Sequence, residues 1–144
     1  MGRILALDIG EKRIGVAVSD PLKIIAQPLT TINFQGIRSL LVALKELIRE
    51  QDAECIVVGI PYTLKKTLSQ KTKEVLEIKA ILAEKLNILV DEEDERLTTV
   101  MAEDSLRMMG KKPSNSRGKI DQIAAVHILQ SYLQRKQNSK EKSW

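Results

Sequence analysis

Three acidic sites in this sequence sit where their neighbours supply little reason for charge. Asp8 lies inside Ile4-Leu5-Ala6-Leu7-Asp8-Ile9-Gly10, an otherwise apolar run. Aspartate is depleted in strands, and an unpaired carboxylate buried in one is costly, so Asp8 calls for a partner or a metal. Gly10, two residues on, leaves room for another backbone or a phosphate. The second site is Asp91-Glu92-Glu93-Asp94-Glu95, which begins where a short apolar strand ends. The third is Asp121, followed by Ala125, Ile128 and Tyr132 at i+4, i+7 and i+11. It therefore occupies a mainly apolar helix face. Each acid also has an ordinary reading. Asp8 would cap a turn at a frayed strand end, and Asp94, Glu95 and Asp121 would favour helix N-termini. Their shared explanation is chemical: hard oxygen ligands from three distant elements for Mg²⁺ or Mn²⁺. Such ions activate water and stabilise both oxygens of an in-line phosphoryl displacement.

Other chemistries find no support. His127 is the single histidine and Cys55 the single cysteine, so neither a zinc site nor an internal disulfide can form. A lone cysteine in an apolar run fits a reducing cytosol. Gly10 and Gly15 have the spacing of two Walker glycines, but Val16 stands where lysine is required. Ser19, Ser105 and Ser116 lack any motif that would activate a nucleophile. No stretch approaches a membrane span or a signal peptide, so a cytoplasmic chain that avoids membranes is expected.

Charge is unevenly placed. The net charge is +4, yet residues 62–73 and 110–119 each carry +4 and residues 135–144 carry +3, leaving the remainder at −7. Basic loops over an acidic body are the pattern of a surface that tracks phosphates, although lysine-rich loops also serve solubility. Aromatic residues are only 3% of the chain, so grip on a nucleic acid would come from backbone contacts rather than base stacking.

These residues need elements to position them. Ile4–Ile9 and Arg13–Ser19 read as strands joined so tightly that they must be antiparallel neighbours. Ile24–Ile32 reads as a third, with Pro28 marking an edge or a bend. The period then becomes helical from Ile37 to Gln51. A strand at Glu54–Ile60, a helix over 69–86, a strand at Ile88–Glu92, a helix at Thr98–Met109 and a last helix at Ile120–Gln134 follow. A meander followed by alternating strands and helices calls for parallel crossovers. The expected fold is α/β, a five-stranded mixed sheet in order 3-2-1-4-5 with helices on both faces. Residues 1–136 form one domain, and 137–144 form a disordered basic tail.

The motifs resemble one known family. Ala6-Leu7-Asp8-Ile9-Gly10 with Arg13-Ile14-Gly15-Val16-Ala17, then Val57-Val58-Gly59-Ile60-Pro61, Asp94-Glu95-Arg96-Leu97-Thr98-Thr99 and Lys119-Ile120-Asp121-Gln122-Ile123-Ala124-Ala125-Val126 are similar, in register from residue 4 to 133, to the YqgF family. Its members are pre-16S rRNA nucleases of ribonuclease H-like fold, formerly described as Holliday-junction resolvases. The resemblance implies a metal-dependent endonuclease with Asp8, Glu95 and Asp121 as catalytic metal ligands and Asp94 as a weaker candidate. It implies Mg²⁺ or Mn²⁺ as cofactor, and pre-rRNA, more than branched DNA, as partner, with ribosomal particles as further partners. The chain would be a monomer or weak dimer. Lys65, Lys66, Lys111, Lys112, Arg117 and Lys119 are expected to grip the phosphate backbone, with Arg96 contacting neighbouring acids or the scissile phosphate. One departure is notable: after Pro61 the family carries Asn and then Asp-Gly, whereas here the loop is Tyr62-Thr63-Leu64-Lys65-Lys66-Thr67.

Two readings compete. Actin-like and sugar-kinase ATPases open with a similar Asp-x-Gly hairpin but need a second such domain. A non-catalytic RNA-binding or docking module would be expected to lack one or more of the acids.

Overall fold

Alternation along the first strand decides where everything else lies. In the computed structural model, which describes residues 2–62, 69–95 and 117–142 and side chains of the last helix over 120–138, β1 spans Arg3–Ile9. Leu5, Leu7 and Ile9 face one layer, while Ile4 and Ala6 face the other. With no polar face, β1 can only be a central strand. It pairs antiparallel with β2 (Arg13–Ser19) and parallel with β4 (Ala53–Ile60). β3 (Ala26–Asn33) closes one edge and β5 (Leu89–Asp94) the other, so the sheet runs β3-β2-β1-β4-β5. This is the expected order. Pro28 lies where the register slips between Val16 and Ala17, on the edge strand, where a missing N–H costs least.

Two helices cover the face of Leu5 and Leu7. α1 (Ile37–Gln51) buries Leu40 and Leu44, and α2 (Gln70–Lys85) buries Val75 and Leu82. α2 starts where Ser69 accepts the Thr72 N–H at 3.1 Å. Burying such side chains is worth about 1.5–3 kcal/mol each.

The other face belongs to α3 (Arg117–Lys142), which lays Ala125, Ile128, Leu129, Tyr132 and Leu133 against Ile4, Ala6, Ala17 and Val57. Small residues in the strands let the helix come close. A Cβ on Gly15 would stand 2.1 Å from the Asp121 carbonyl oxygen, and one on Gly59 would stand 2.3 Å from Ile128 Cδ1.

α3 departs from expectation at both ends. It starts at Arg117 rather than Ile120, so Asp121 is in the second turn. It also continues through Lys142, so residues 137–142 are helical rather than a disordered tail. Gln134–Lys142 is rich in Gln, Arg, Lys and Glu, residues of good helix propensity. Its start is anchored, since Arg135 Nε donates to Glu93 at 2.9 Å and Lys136 lies 3.7 Å from Asp91. The expected helix at Thr98–Met109 lies outside the described residues. None of the described helices is long and apolar enough to cross a membrane.

Candidate active site

Strand parity puts Asp8 on the α3 face, next after Ile4 and Ala6 and at the carboxyl end of the central strand. β5 runs to Asp94, two residues further than expected, and pairs with β4 up to Ile60. Glu95 then donates its N–H to the Ile60 carbonyl at 3.1 Å, which continues the ladder by one residue. Counting in twos along β5, Asp91, Glu93 and Glu95 face α3, while Glu92 faces α2. Glu95 is buried and Asp94 is exposed, so Glu95 is the acid that turns inward.

The other acids of the run are structural. Asp91 accepts from the Tyr132 hydroxyl at 2.9 Å, and Glu93 accepts from Ser131 at 2.7 Å. Glu92 accepts from Lys79 at 2.9 Å and from the Tyr62 hydroxyl at 2.6 Å. These bonds tie the edge strand to both helical layers.

Asp8 and Glu95 meet. Burial raises the Asp8 carboxyl above its usual range, the hydrogen bond with Glu95 opposes the rise, and the nearby Asp121 charge reinforces it. Burial and the Asp8 charge push Glu95 up to about 10, so Glu95 carries the proton of the pair. Its Oε2 atom is buried and has no hydrogen-bond partner. Such an orphaned oxygen costs about 1–3 kcal/mol. The Lys71 ammonium, in the first turn of α2, lowers both carboxyls without neutralising them.

Asp121 stands at the margin of this pair. Its Oδ2 accepts from Arg13 Nε at 3.1 Å, and both side chains are partly exposed, at 22% and 33%. Among the described residues no three His, Cys, Asp or Glu side chains are already gathered as a metal would gather them. The site is a carboxyl pair, Glu95 buried and Asp8 half-buried, with a third acid turned to an arginine.

Several expected site residues are out of view. Lys65, Lys66, Arg96, Lys111 and Lys112 lie outside the described residues, and Arg117 and Lys119 are described only as the start of α3. Sequence reasoning passed over Arg13 and Lys71. Arg13 belongs to the quoted hairpin motif, and Lys71 to the acid-free segment 62–73, so both signals were present. Gly10 leaves room for another stretch of backbone, as expected, and that backbone is its own hairpin. A Cβ there would meet the Arg13 carbonyl at 2.8 Å, so the hairpin itself demands glycine. His127 is partly buried, which lowers its pKa. A cleft of about 540 Å³, lined by Ile4, Cys55, Tyr132 and Leu133 among others, lies away from Asp8.

A mixed five-stranded sheet in this order, with carboxyl groups at the end of its central strand, defines the ribonuclease H-like class. Comparisons agree. The RuvX family, described as Holliday junction resolvase, matches residues 2–135. The protein named "Putative pre-16S rRNA nuclease" from Chloroflexus aurantiacus is 41% identical over 140 residues, covering 97% of this chain and 92% of its own length. The protein of the same name from Lachnospira eligens is 41% identical over 138 residues, covering 94% and 99%. Thermus thermophilus RuvC, solved with a Holliday junction substrate, shares the fold at a TM-score of 0.57 and 14% identity, covering 95% and 96%. The fowlpox virus Holliday junction resolvase does so at 0.55 and 15%, covering 92% and 98%. The chain belongs to the RuvX family of nucleases, also called YqgF, as its motifs had implied.

The raised pKa of Glu95 carries a stability consequence. Unfolded, it ionises near 4.5, and folded, it holds its proton up to about 10. Folding therefore retains a proton, and this group's contribution to stability is full below pH 4.5 and is lost as pH rises toward 10. Glutamine keeps the donor toward Asp8 and removes the titration. In chelator at pH 8, Glu95→Gln should melt on the order of 10 °C or more above the wild type, with the gap closing toward pH 5. Parallel melting curves across that range would show that Glu95 is not held protonated.

Proposed function

We propose that this chain is a divalent-metal-dependent endonuclease that hydrolyses phosphodiesters in 5′-end maturation of pre-16S rRNA. The observation that carries the reading is the Asp8–Glu95 pair, a half-buried carboxyl in contact with a buried one whose Oε2 atom is unpartnered. A cation would satisfy that oxygen and relieve the mutual repulsion. An all-oxygen donor set of Asp8, Glu95 and Asp121 suits Mg²⁺ or Mn²⁺. Asp94 is left out of this set because it is exposed and of opposite parity. The names of the relatives support the RNA assignment.

The metal, when bound, lowers the pKa of water and stabilises charge on the phosphoryl oxygens. The chain's own residues set the stage for it. The β1 and β5 ends fix two carboxyl groups on rigid strands. To hold a cation Glu95 would have to be ionised, so loading would release its proton. Asp121 would complete the set only if released from Arg13, and the Arg13 guanidinium would then be open to a phosphate oxygen. Hydrolysis forms a bond from water oxygen to phosphorus and breaks the bond from phosphorus to the leaving sugar oxygen. The bases Lys65, Lys66, Arg96, Lys111, Lys112, Arg117 and Lys119 supply the charge that grips the backbone. Such contacts are blind to base sequence, so specificity comes from RNA shape or the ribosomal particle. Residues 1–136 act as one nuclease domain, in the cytoplasm, as a monomer or weak dimer.

The deciding experiment incubates pure protein and Asp8→Asn with precursor 16S rRNA, single-stranded RNA and a four-way DNA junction. The expected result is a cut in the 5′ leader of the precursor that requires Mn²⁺ or Mg²⁺ and that Asp8→Asn does not make. Cleavage confined to the junction would transfer the assignment to branched DNA. Absence of cleavage on all three would leave a docking module.

A further inference from the structure

A second cleft opens beside the acid pair. It has a volume of about 400 Å³ and is lined by Gly10, Glu11, Lys12, Arg13, Lys71 and Asp121. One wall is the β1–β2 turn, and the other is the first turn of α2. Arg13 and Asp121 neutralise each other across it at 3.1 Å. That leaves the exposed Lys12 and Lys71 against the single carboxylate of Glu11. The cleft is thus net cationic although it adjoins the most acidic point of the sheet.

The Lys71 ammonium makes no ion pair or hydrogen bond to another described residue, although its charge lowers Asp8 and Glu95. Lys79, on the same helix, is committed to Glu92 at 2.9 Å, and Lys23 to Glu54. Among the described residues neither Lys71 nor Lys12 has an acid at ion-pair distance. Position adds a cost: α2 has no acid in its first turn and carries Lys71 and Lys73 near its N-terminus. Cations there oppose the helix dipole by about 0.3–1 kcal/mol each. Lys71 acts on the Asp8–Glu95 pair only through its charge, with no ion pair to hold it, so its ammonium is open to a ligand in the cleft. An ammonium facing solvent next to a phosphodiester-cutting site suits a phosphate.

We infer that this cleft seats the backbone phosphate next to the scissile one, with Lys71 and Lys12 contacting it from opposite walls. The inference rests on the nuclease reading above for the identity of the ligand, a nucleic-acid strand. Lys71 is here a positioning residue: it fixes the register of the strand so that the neighbouring phosphate lies over Asp8 and Glu95. The turn supplies Lys12 and α2 supplies Lys71, so one strand passes between them.

Two measurements test this on the full chain. The first is the affinity of single-stranded RNA in EDTA, read by fluorescence anisotropy over a salt series. Lys71→Gln should bind about tenfold more weakly, and the slope of log K against log salt should shrink by about 0.7, one phosphate contact. Lys71→Arg should restore most of both, and the melting temperature of Lys71→Gln should not fall. The second uses the strand that the wild type cuts, with one methylphosphonate at each linkage flanking the mapped cut. One of these neutral linkages should weaken wild-type binding about tenfold and leave Lys71→Gln binding unchanged. Unchanged affinity and salt slope in Lys71→Gln would overturn the inference, as would equal sensitivity of both proteins at every linkage. Cleavage by the wild type in that case leaves the nuclease reading standing. Lys71-dependent binding without any cleavage by the wild type would instead sink the nuclease reading and keep the phosphate seat.

Discussion

Asp8→Asn and Glu95→Gln are each expected to lower metal-dependent phosphodiester cleavage by a factor on the order of 10³ or more, with Asp121→Asn following them. Each change removes one negative oxygen ligand and alters the volume little. The usual objection to such variants is loss of fold, and here the structure points the other way. Burial raises both carboxyls, and Asp8 raises Glu95 further, so removing a titrating group should stabilise the metal-free protein. Asp121→Asn loses an ion pair with Arg13 that is partly exposed on both sides, worth at most about 1 kcal/mol. Activity and stability therefore separate. Kinetics with a fixed Mn²⁺ concentration and melting curves in EDTA would read the two sides. A variant that unfolds would make its residue structural, and one with full activity would remove its residue from the site.

Gly15→Ala should do the opposite and take stability and activity away together. By strand propensity alone, alanine at this position should help by about 0.5–1 kcal/mol, because glycine weakens strands. The clash decides the sign. The new Cβ would stand 2.1 Å from the Asp121 carbonyl oxygen and 2.3 Å from its carbonyl carbon, both backbone atoms that no rotamer change can move. The helix must lift from β2, which opens the seam where Ala125 and Ile128 are packed. A cost of about 3 kcal/mol is expected, or roughly 10 °C in melting temperature. Asp121 rides on the displaced turn, so cleavage should fall even well below the melting temperature. A variant that melts like the wild type and cuts normally would mean that α3 does not approach β2 this closely in solution.

Much of this architecture could be read from residue order. The apolar run around Asp8 identified the central strand, the tight Gly10–Lys12 connection fixed antiparallel pairing, and the change of period after Asn33 marked the crossovers. The choice between Asp94 and Glu95 could not be made, for a physical reason. The apolar stretch of β5 ends before Asp91, so its continuation through four acids is invisible to periodicity. Pairing with β4 and bonds to Tyr132, Ser131 and Lys79 extend the strand, and parity then assigns Glu95 inward. The Arg13–Asp121 pair was hidden because it joins residues 108 apart in sequence. Lys71 was visible only as part of a basic segment, since its significance comes from the turn that faces it across the cleft.

That same separation has a consequence for how the protein comes into being. Asp8 leaves the ribosome early, Glu95 much later and Asp121 later still, because α3 follows every strand in order of synthesis. The sheet face that α3 covers, from Ile4 to Val57, stays bare until the helix arrives. Contacts this distant in sequence form slowly, because loop closure comes before any gain from packing. A nascent chain therefore holds Asp8 and Glu95 before Asp121 and before the helix that covers their face of the sheet. If Asp121 completes the proposed site, activity waits until α3 has been made and docked.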